Sequence, residues 1–288
     1  MTEQPTDWRK WYFHFGLELQ KNGNQLIGTC PWCSKDDHYY IGASNGIGTC
    51  QRAATDLCTG NTNHYSFIQK LHQVSLEETT EQAYQQLSDN RNIKSSTFTH
   101  FKLAQSVLND NWLIPSYNQK KKVVNLYQCL EINKTNKNTD EPEIGYDIRC
   151  SPYPLYHTLY GVETVKKKHT CIYLVEGLWD RMIWTEVFAH LKRSGNNLVR
   201  MGQPNWKSEL LTENCIVAVP GSNVFKDQWF QFFKGKDLVI ISDNDNAGEQ
   251  MTKRVVEKLM SSNQQPKGIS GMVWDGIECN DIRDMIQF

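Results

Sequence analysis

The pattern of hydrophobic and polar positions changes three times along the chain, and each change marks a different kind of structure. Behind Asp7, a side chain able to cap a first turn, "WRKWYFHFGLELQ" reads as a helix; "KNGNQ" then turns, and "LIGTCPWC" reads as a strand entering a cysteine knuckle. "HYYIGASNGIGTC" has the form of a hairpin with a Ser-Asn-Gly turn, which carries Cys50 back toward Cys30 and Cys33. Two helices follow in "HYSFIQKLHQ" and "SLEETTEQAYQQLSDN", the second expected to start at Ser75 with Glu78 completing a capping box. The polar stretch "SDNRNIKSSTFTH" offers little to bury and reads as a linker.

From Trp112 the pattern shortens to strands: "WLIPSY", "KVVNLYQCLEI" and, after the polar insert "NKTNKNTDEP", "EIGYDIRC". From Cys171 strands and helices alternate: "CIYLVEG", "WDRMIWTEVFAHLKR", "CIVAVPG", "KDQWFQFFK", "DLVIISDND", "AGEQMTKRVVEKLMSS" and "GISGMVWDG". That alternation predicts a mainly parallel sheet with helices on its faces, and such sheets place their sites at the carboxyl ends of the strands. The expected organisation is α+β and multidomain: a cysteine-bearing domain over 1–90, a linker over 91–97, a strand-rich subdomain over 98–168 and an α/β domain over 169–288. The chain shows neither an internal repeat nor a Walker A sequence, which argues against a nucleotide-driven motor.

Composition narrows the class. At 288 residues, 39% hydrophobic and 22% charged, the chain can bury sizeable cores, and it holds no apolar run long enough to span a bilayer, so no membrane role is expected. "MTEQPTDWRK" lacks the apolar core of a signal peptide, and nine cysteines make an odd count without a regular framework. The expected location is therefore the reducing cytoplasm, where closely spaced cysteines are metal ligands rather than disulfide partners. With a formal net charge of −1, any nucleic-acid binding must come from local patches such as Lys120-Lys121-Lys122 and Lys166-Lys167-Lys168. Taken alone, lysine runs are solvated faces.

Cys30-Pro31-Trp32-Cys33 sets two thiolates on one tight turn, able to share a tetrahedral zinc at about 2.3 Å. Cys50 and Cys58 are the candidates for the other two ligands. The seven residues between them exceed the usual two, so His64 and His38 stand as substitutes for the fourth. Trp32, Lys35, His38, Tyr39, Tyr40 and Arg52 surround the knuckle, a mixture of aromatic and cationic groups suited either to stacking on single-stranded nucleic acid or to packing a small core. Tyr39 and Tyr40, on alternate faces of a strand, divide between the two roles.

The acidic residues pose a sharper question. "CIYLVEG" ends a strand in Glu176, with Asp180 one helical turn on, and "DLVIISDND" ends another in Asp243 and Asp245. A parallel sheet would bring these carboxylates to one edge, where like charges repel unless a cation sits between them. Oxygen-only ligands favour Mg²⁺ or Mn²⁺ over zinc, and such ions serve displacements at phosphorus.

"YLVEGLWD" followed by "IISDNDNAG" resembles the Toprim domain, the metal-binding fold of bacterial-type primases, topoisomerases and some nucleases; "VAVPGS" and "GIECNDIRD" resemble its remaining motifs. The resemblance implies that Glu176, Asp180, Asp243 and Asp245 are the catalytic, metal-binding acids, with Glu278 and Asp281 as further members and acid/base work falling on Glu176. With "KNGNQLIGTCPWC", "WLIPSYNQKKKVV" and "YPLYHTLYGVETV" ahead of it, the chain is similar to bacterial and bacteriophage (DnaG-like) DNA primases in the order zinc ribbon, strand-rich subdomain, Toprim. The implied activity is synthesis of short RNA primers on single-stranded DNA from NTPs, with structural Zn²⁺, catalytic Mg²⁺ or Mn²⁺, and a separate replicative helicase as partner. In that picture the ribbon, through Trp32, Lys35, Tyr40 and Arg52, reads the template, while Arg149 and Lys120, Lys121 and Lys122 hold template and NTP phosphates. A Toprim nuclease and a non-catalytic DNA-binding recombination or replication accessory protein are the alternatives.

Overall fold

A computed structural model describes residues 7–52, 54–58, 60–135, 142–150, 158–195, 197–221 and 223–271. The chain is α+β and divides into two compact units. The first comprises 1–90, 99–116 and 122–157; the second comprises 91–98, 117–121 and 158–288.

In the first unit, α1 (Trp8–His14) begins where the Asp7 carboxylate accepts the Lys10 N–H at 3.2 Å. Strands β1 (Gln20–Asn22), β2 (Gln25–Gly28), β3 (Tyr39–Gly42) and β4 (Gly48–Cys50) form an antiparallel sheet in that order. At the β3–β4 turn the Asn45 side chain accepts the Ile47 N–H at 3.0 Å, and Gly46 adopts a φ of +65°. A side chain there would begin 2.3 Å from the Trp8 ring, so glycine is needed twice over.

What the ribbon lacks in length it makes up in aromatic packing. Trp11 meets Tyr12, Phe15 and Phe67 edge-to-face at centroid distances of 4.8, 4.9 and 5.7 Å. Each such contact contributes about 1 kcal/mol beyond the area buried. Tyr39 is buried in this cluster while Tyr40 faces the other way, half-exposed, as strand alternation predicts.

Helix α2 (His64–Glu78) is capped by Asn63, which accepts the Ser66 N–H at 2.9 Å, and α3 (Glu81–Arg91) follows. The break between them falls five residues after the expected one. Ser75 lies fully buried inside α2, its hydroxyl accepting the Val107 N–H, and it is Thr79 that turns back onto the Ser75 carbonyl while the Thr80 hydroxyl accepts the Ala83 N–H. A tertiary partner for the serine outcompetes its capping role.

Helix α4 (Ser95–Phe101) starts in the second unit and ends in the first. Strands β5 (Ala104–Gln105), β6 (Trp112–Tyr117), β7 (Val123–Thr135) and β8 (Pro142–Arg149) make a second sheet in sequence order, with β7 and β8 a long antiparallel hairpin. Gln69 on α2 donates to the Val123 carbonyl at 2.9 Å, and the Gln128 amide on β7 donates to the His14 carbonyl. The ribbon and the strand-rich segment, expected as separate domains, thus share one unit.

The second unit is built on β9 (Cys171–Val175), α5 (Leu178–Ala189), β10 (Leu191–Ser194), β11 (Asn197–Arg200), α6 (Glu209–Glu213), β12 (Asn214–Ala218), α7 (Phe230–Phe233), β13 (Asp237–Ile241), α8 (Asn246–Met260) and β14 (Gly268–Gly271). Its main sheet has the order β12-β9-β13-β14, every pair parallel. Met251, Val255 and Leu259 of α8, spaced at the helical period, close over Leu174, Leu238 and Ile240.

Two expectations fail in this unit. The helix read through "FAHLKR" stops at Ala189, because the Met201 N–H returns to the His190 carbonyl at 2.7 Å and Leu191–Arg200 folds into a hairpin turning at Gly195, φ +61°. The presumed linker 91–97 is structured and partly internal: Ile93, Thr97 and Phe98 are buried, the Thr97 hydroxyl donates to Glu186 at 2.5 Å, and Arg91 lies over the Trp179 ring. A short polar segment can be ordered by a few partners even where it offers little apolar area.

Candidate active site and metal centre

Two clusters carry chemistry. In the first unit, the turn after β2 holds Cys30 and Cys33, closed by the Ser34 N–H on the Cys30 carbonyl at 2.9 Å. Cys50 ends β4, in register with Tyr39, and Cys58 ends a short 3-10 turn from Asp56. All four Sγ atoms lie within 4.8 Å of one another. Cys30 to Cys58 is 3.7 Å and Cys33 to Cys50 is 3.9 Å. A tetrahedron with metal–sulfur bonds of about 2.3 Å has edges of about 3.8 Å, so two of the six edges already match a zinc site and the other four are no longer than 4.8 Å. The fourth corner belongs to Cys58: His64 instead stacks on Trp8, ring centroids 5.4 Å apart.

Burial pushes the Cys30 and Cys33 thiols up from their ordinary pKa. Burial acts the same way on Cys58, but the Thr55 hydroxyl and the neighbouring thiols overcome it and bring that group down to about 7. A dication in the centre would ionise the whole set.

In the second unit, β9 and β13 are adjacent and parallel, with Val175 opposite Ile241. The residues just past them therefore meet. The Asp243 N–H donates to Glu176 Oε2 at 3.2 Å. Asp245 caps α8, its Oδ1 accepting the Gly248 N–H at 2.8 Å. Asp180, in the first turn of α5, folds back so that its Oδ2 stands 2.6 Å from where a Gly177 side chain would begin. At Gly248 a side chain would begin 2.2 Å from the Asp243 carbonyl oxygen, so this position too requires glycine.

Burial raises the Glu176 pKa above its ordinary value, the Asp243 N–H opposes the shift, and the charges of Asp245 and Asp180 add to it. Among the described residues, the cysteines are the one group of three or more such donors gathered closely enough to hold a metal ion by themselves; the carboxylates stand more openly. An open arrangement suits Mg²⁺, which keeps several waters and takes one or two carboxylates beside substrate phosphates.

A groove of about 590 Å³ runs past Asp243 and Asp245 to Glu249, Thr252 and Lys253 on α8. The sequence reading missed this helical wall. Its signal was the i, i+3, i+4 spacing of polar residues opposite the apolar stripe of α8.

The remaining expected residues are dispersed. Trp32 is corrected from a stacking platform to a core residue: it is 8% exposed, packs on Phe67 at 5.6 Å and is covered by the Lys70 ammonium at 4.9 Å. Lys35 and Arg52 are exposed near the knuckle. Lys120, Lys121 and Lys122 are exposed in the turn between β6 and β7, and Arg149 pairs with Asp147 at 2.9 Å on β8. Glu278 and Asp281 lie outside the described residues.

No family model and no curated protein matches the sequence. Among solved structures the neighbours are DnaG-type primases. The chain is similar to the zinc-binding and RNA polymerase domains of the Aquifex aeolicus primase, with 15% identity over 89% of this chain and 74% of that one and a TM-score of 0.44. It is similar to the primase fragment of the bacteriophage T7 primase-helicase protein, with 15% identity, 90% and 93% coverage and a TM-score of 0.40. For the RNA polymerase domain of Mycobacterium tuberculosis primase DnaG the values are 13%, 76% and 78%, and 0.47. At such identities and scores the functional reading rests on the residues themselves. No helix among the described residues is long and apolar enough to cross a membrane.

Proposed function

We propose that the protein is a DNA primase that makes short RNA primers on single-stranded DNA. One observation carries the reading: Glu176 and the Asp243–Asp245 pair meet at the carboxyl edge of a parallel sheet, with Asp180 beside them. A four-thiol centre in the same chain supplies the second half of the primase resemblance.

In this reading Glu176, Asp180, Asp243 and Asp245, with Glu278 and Asp281, hold Mg²⁺ or Mn²⁺. Bound there, the ions neutralise the NTP phosphates and stabilise the attacking and leaving oxygens of an in-line displacement. Glu176, braced by the Asp243 N–H, takes the acid/base role toward the ribonucleotide 3′-hydroxyl, and pyrophosphate leaves along the groove walled by α8. Arg149 and Lys120 to Lys122 serve template and NTP phosphates, and Lys35, Tyr40 and Arg52 face the template. Residues 1–90 act as the template reader, 98–168 as the amino-terminal part of the polymerase core and 169–288 as its metal-binding part. A separate replicative helicase would recruit the chain.

The test is incubation with single-stranded DNA, Mg²⁺ or Mn²⁺ and labelled NTPs. Short RNA products that vanish in Asp243→Ala are expected. Degraded DNA with no RNA made would replace the primase with a nuclease, and a DNA gel shift with no product from any template would leave a binding protein.

A further inference from the structure

The main sheet of the second unit is polarised. Its carboxyl edge carries the acids, and because all four strands are parallel its opposite edge gathers every segment that enters the sheet. Three of the four are rich in lysine: Lys166, Lys167 and Lys168 precede β9, Lys234 and Lys236 precede β13, and Lys267 precedes β14; the fourth, α6 ahead of β12, carries Glu209 and Glu213, both paired with Arg193. The three lysine segments are stitched together. The Lys236 ammonium donates to the carbonyls of Lys166, Lys167 and His169 at 3.1, 3.2 and 2.6 Å, and the Lys267 N–H donates to the Lys236 carbonyl at 2.8 Å.

Lys236 is thus a structural clamp, and the other five side chains are exposed around it. None is in an ion pair among the described residues, and Asp237 is the one acid in the segments 166–170, 234–237 and 265–268. The concentration of positive charge is felt locally: burial, then Lys166, Lys236 and Lys168, push the His169 pKa down to about 4.

We infer that this amino edge is a second nucleic-acid site, one that holds the sugar–phosphate backbone of a single strand without reading its sequence. The inference rests on the primase reading for its biological sense but not for its geometry. Adjacent strands lie about 4.8 Å apart, so entries to three neighbouring strands spread the lysines over about 10 Å, a run of a few phosphates. A protein partner would need an apolar or aromatic centre to bury. Of the large exposed apolar residues, Met260 ends α8 beside Gln265, and Leu198 and Val199 lie on the β10–β11 hairpin that Arg193 ties to α6, so they border the three lysine segments without standing within them. The lysines themselves suit phosphates, whose binding is driven by counterion release.

The experiment is fluorescence anisotropy of the full chain on a labelled oligothymidylate across a salt series. It compares wild type with the quadruple variant K166Q/K167Q/K168Q/K267Q, leaving the Lys236 clamp intact. For single strands the slope of log affinity against log salt is about −0.7 per phosphate contacted, so the variant should lose up to about 3 from that slope and bind at least about 10-fold more weakly at low salt. Lys267→Gln alone, which alters one segment, should lose about 0.7. An unchanged slope in the folded variants overturns the site. Equal, lysine-dependent binding of poly-glutamate would overturn it in favour of an acidic protein. Asp243→Ala should leave the slope untouched while abolishing synthesis, so failure of this inference and failure of the primase reading are separable.

Discussion

The thiol centre and the acidic edge both gather groups that repel or desolvate one another, yet they do so to different degrees. In the ribbon, three buried sulfurs and the half-buried Cys33 already stand near tetrahedral spacing, 3.7 and 3.9 Å across two edges. At the sheet edge, the carboxylates share influence and one backbone hydrogen bond but do not close on a common point. The difference is that between a closed structural site and an open one. A soft ion held by four protein ligands would staple the ribbon beside its aromatic core, whereas the hard ion proposed for the acids would need free coordination positions and water to accept substrate.

The largest effect should come from breaking the closed site. Cys30→Ser, or removal of the ion by a strong chelator, should unfold the ribbon, since structural zinc supplies about 10 kcal/mol or more of folding energy in small domains. Loss of near-ultraviolet circular dichroism from the Trp8–Trp11–Tyr12 cluster, together with loss of stoichiometric zinc, would register it. A ribbon that stays folded without metal would make the two sites alike after all.

Asp243→Ala should do the reverse, leaving the fold and erasing the chemistry. On the proposed function, removing one ligand of a catalytic cation should forfeit about 4 kcal/mol, roughly a 1000-fold fall in primer synthesis. Its melting temperature should stay within about 2 °C of wild type.

Glu176→Gln sharpens the contrast further. A carboxyl group whose folded pKa is raised favours its protonated form in the native state. It contributes stability at pH below its ordinary 4.5 and loses that contribution as pH rises through the raised value. At neutral pH in metal-free buffer the neutral amide should therefore raise the melting temperature by about 2 °C while synthesis is lost. A lowered melting temperature would show that the carboxylate is stabilised where it sits.

The smallest effect is acid sensitivity shared by the two units. Burial, and then Arg149, push the His14 pKa to about 4, and burial with three lysines does the same to His169. Both groups are neutral in the fold, so stability is intact above their ordinary 6.5 and falls as pH drops toward about 4. His169→Gln should flatten this part of the pH–melting curve for the second unit without affecting the first.

The features legible in the sequence were those fixed by neighbours along the chain. Asp7 capping α1, the Asn45–Gly46 turn, Tyr39 and Tyr40 on opposite faces, and acids placed just past apolar strands all follow from local geometry. The failures were decided by partners far away. Ser75 has Val107, the chain after Ala189 is drawn back by Met201, and Trp32 finds Phe67 and Lys70. The fourth thiol was ambiguous because spacing constrains a loop poorly, while Cys58 reaches the centre by way of a 3-10 turn.

Asp245 has one further use. Its Oδ1 accepts the Gly248 amide proton, so the same oxygen system that begins α8 stands in the acidic groove. A cation drawing on that carboxylate must pull electron density from the cap. The Gly248 amide resonance is therefore a built-in spectroscopic gauge of occupancy, able to follow Mg²⁺ titration in the absence of any nucleotide or template.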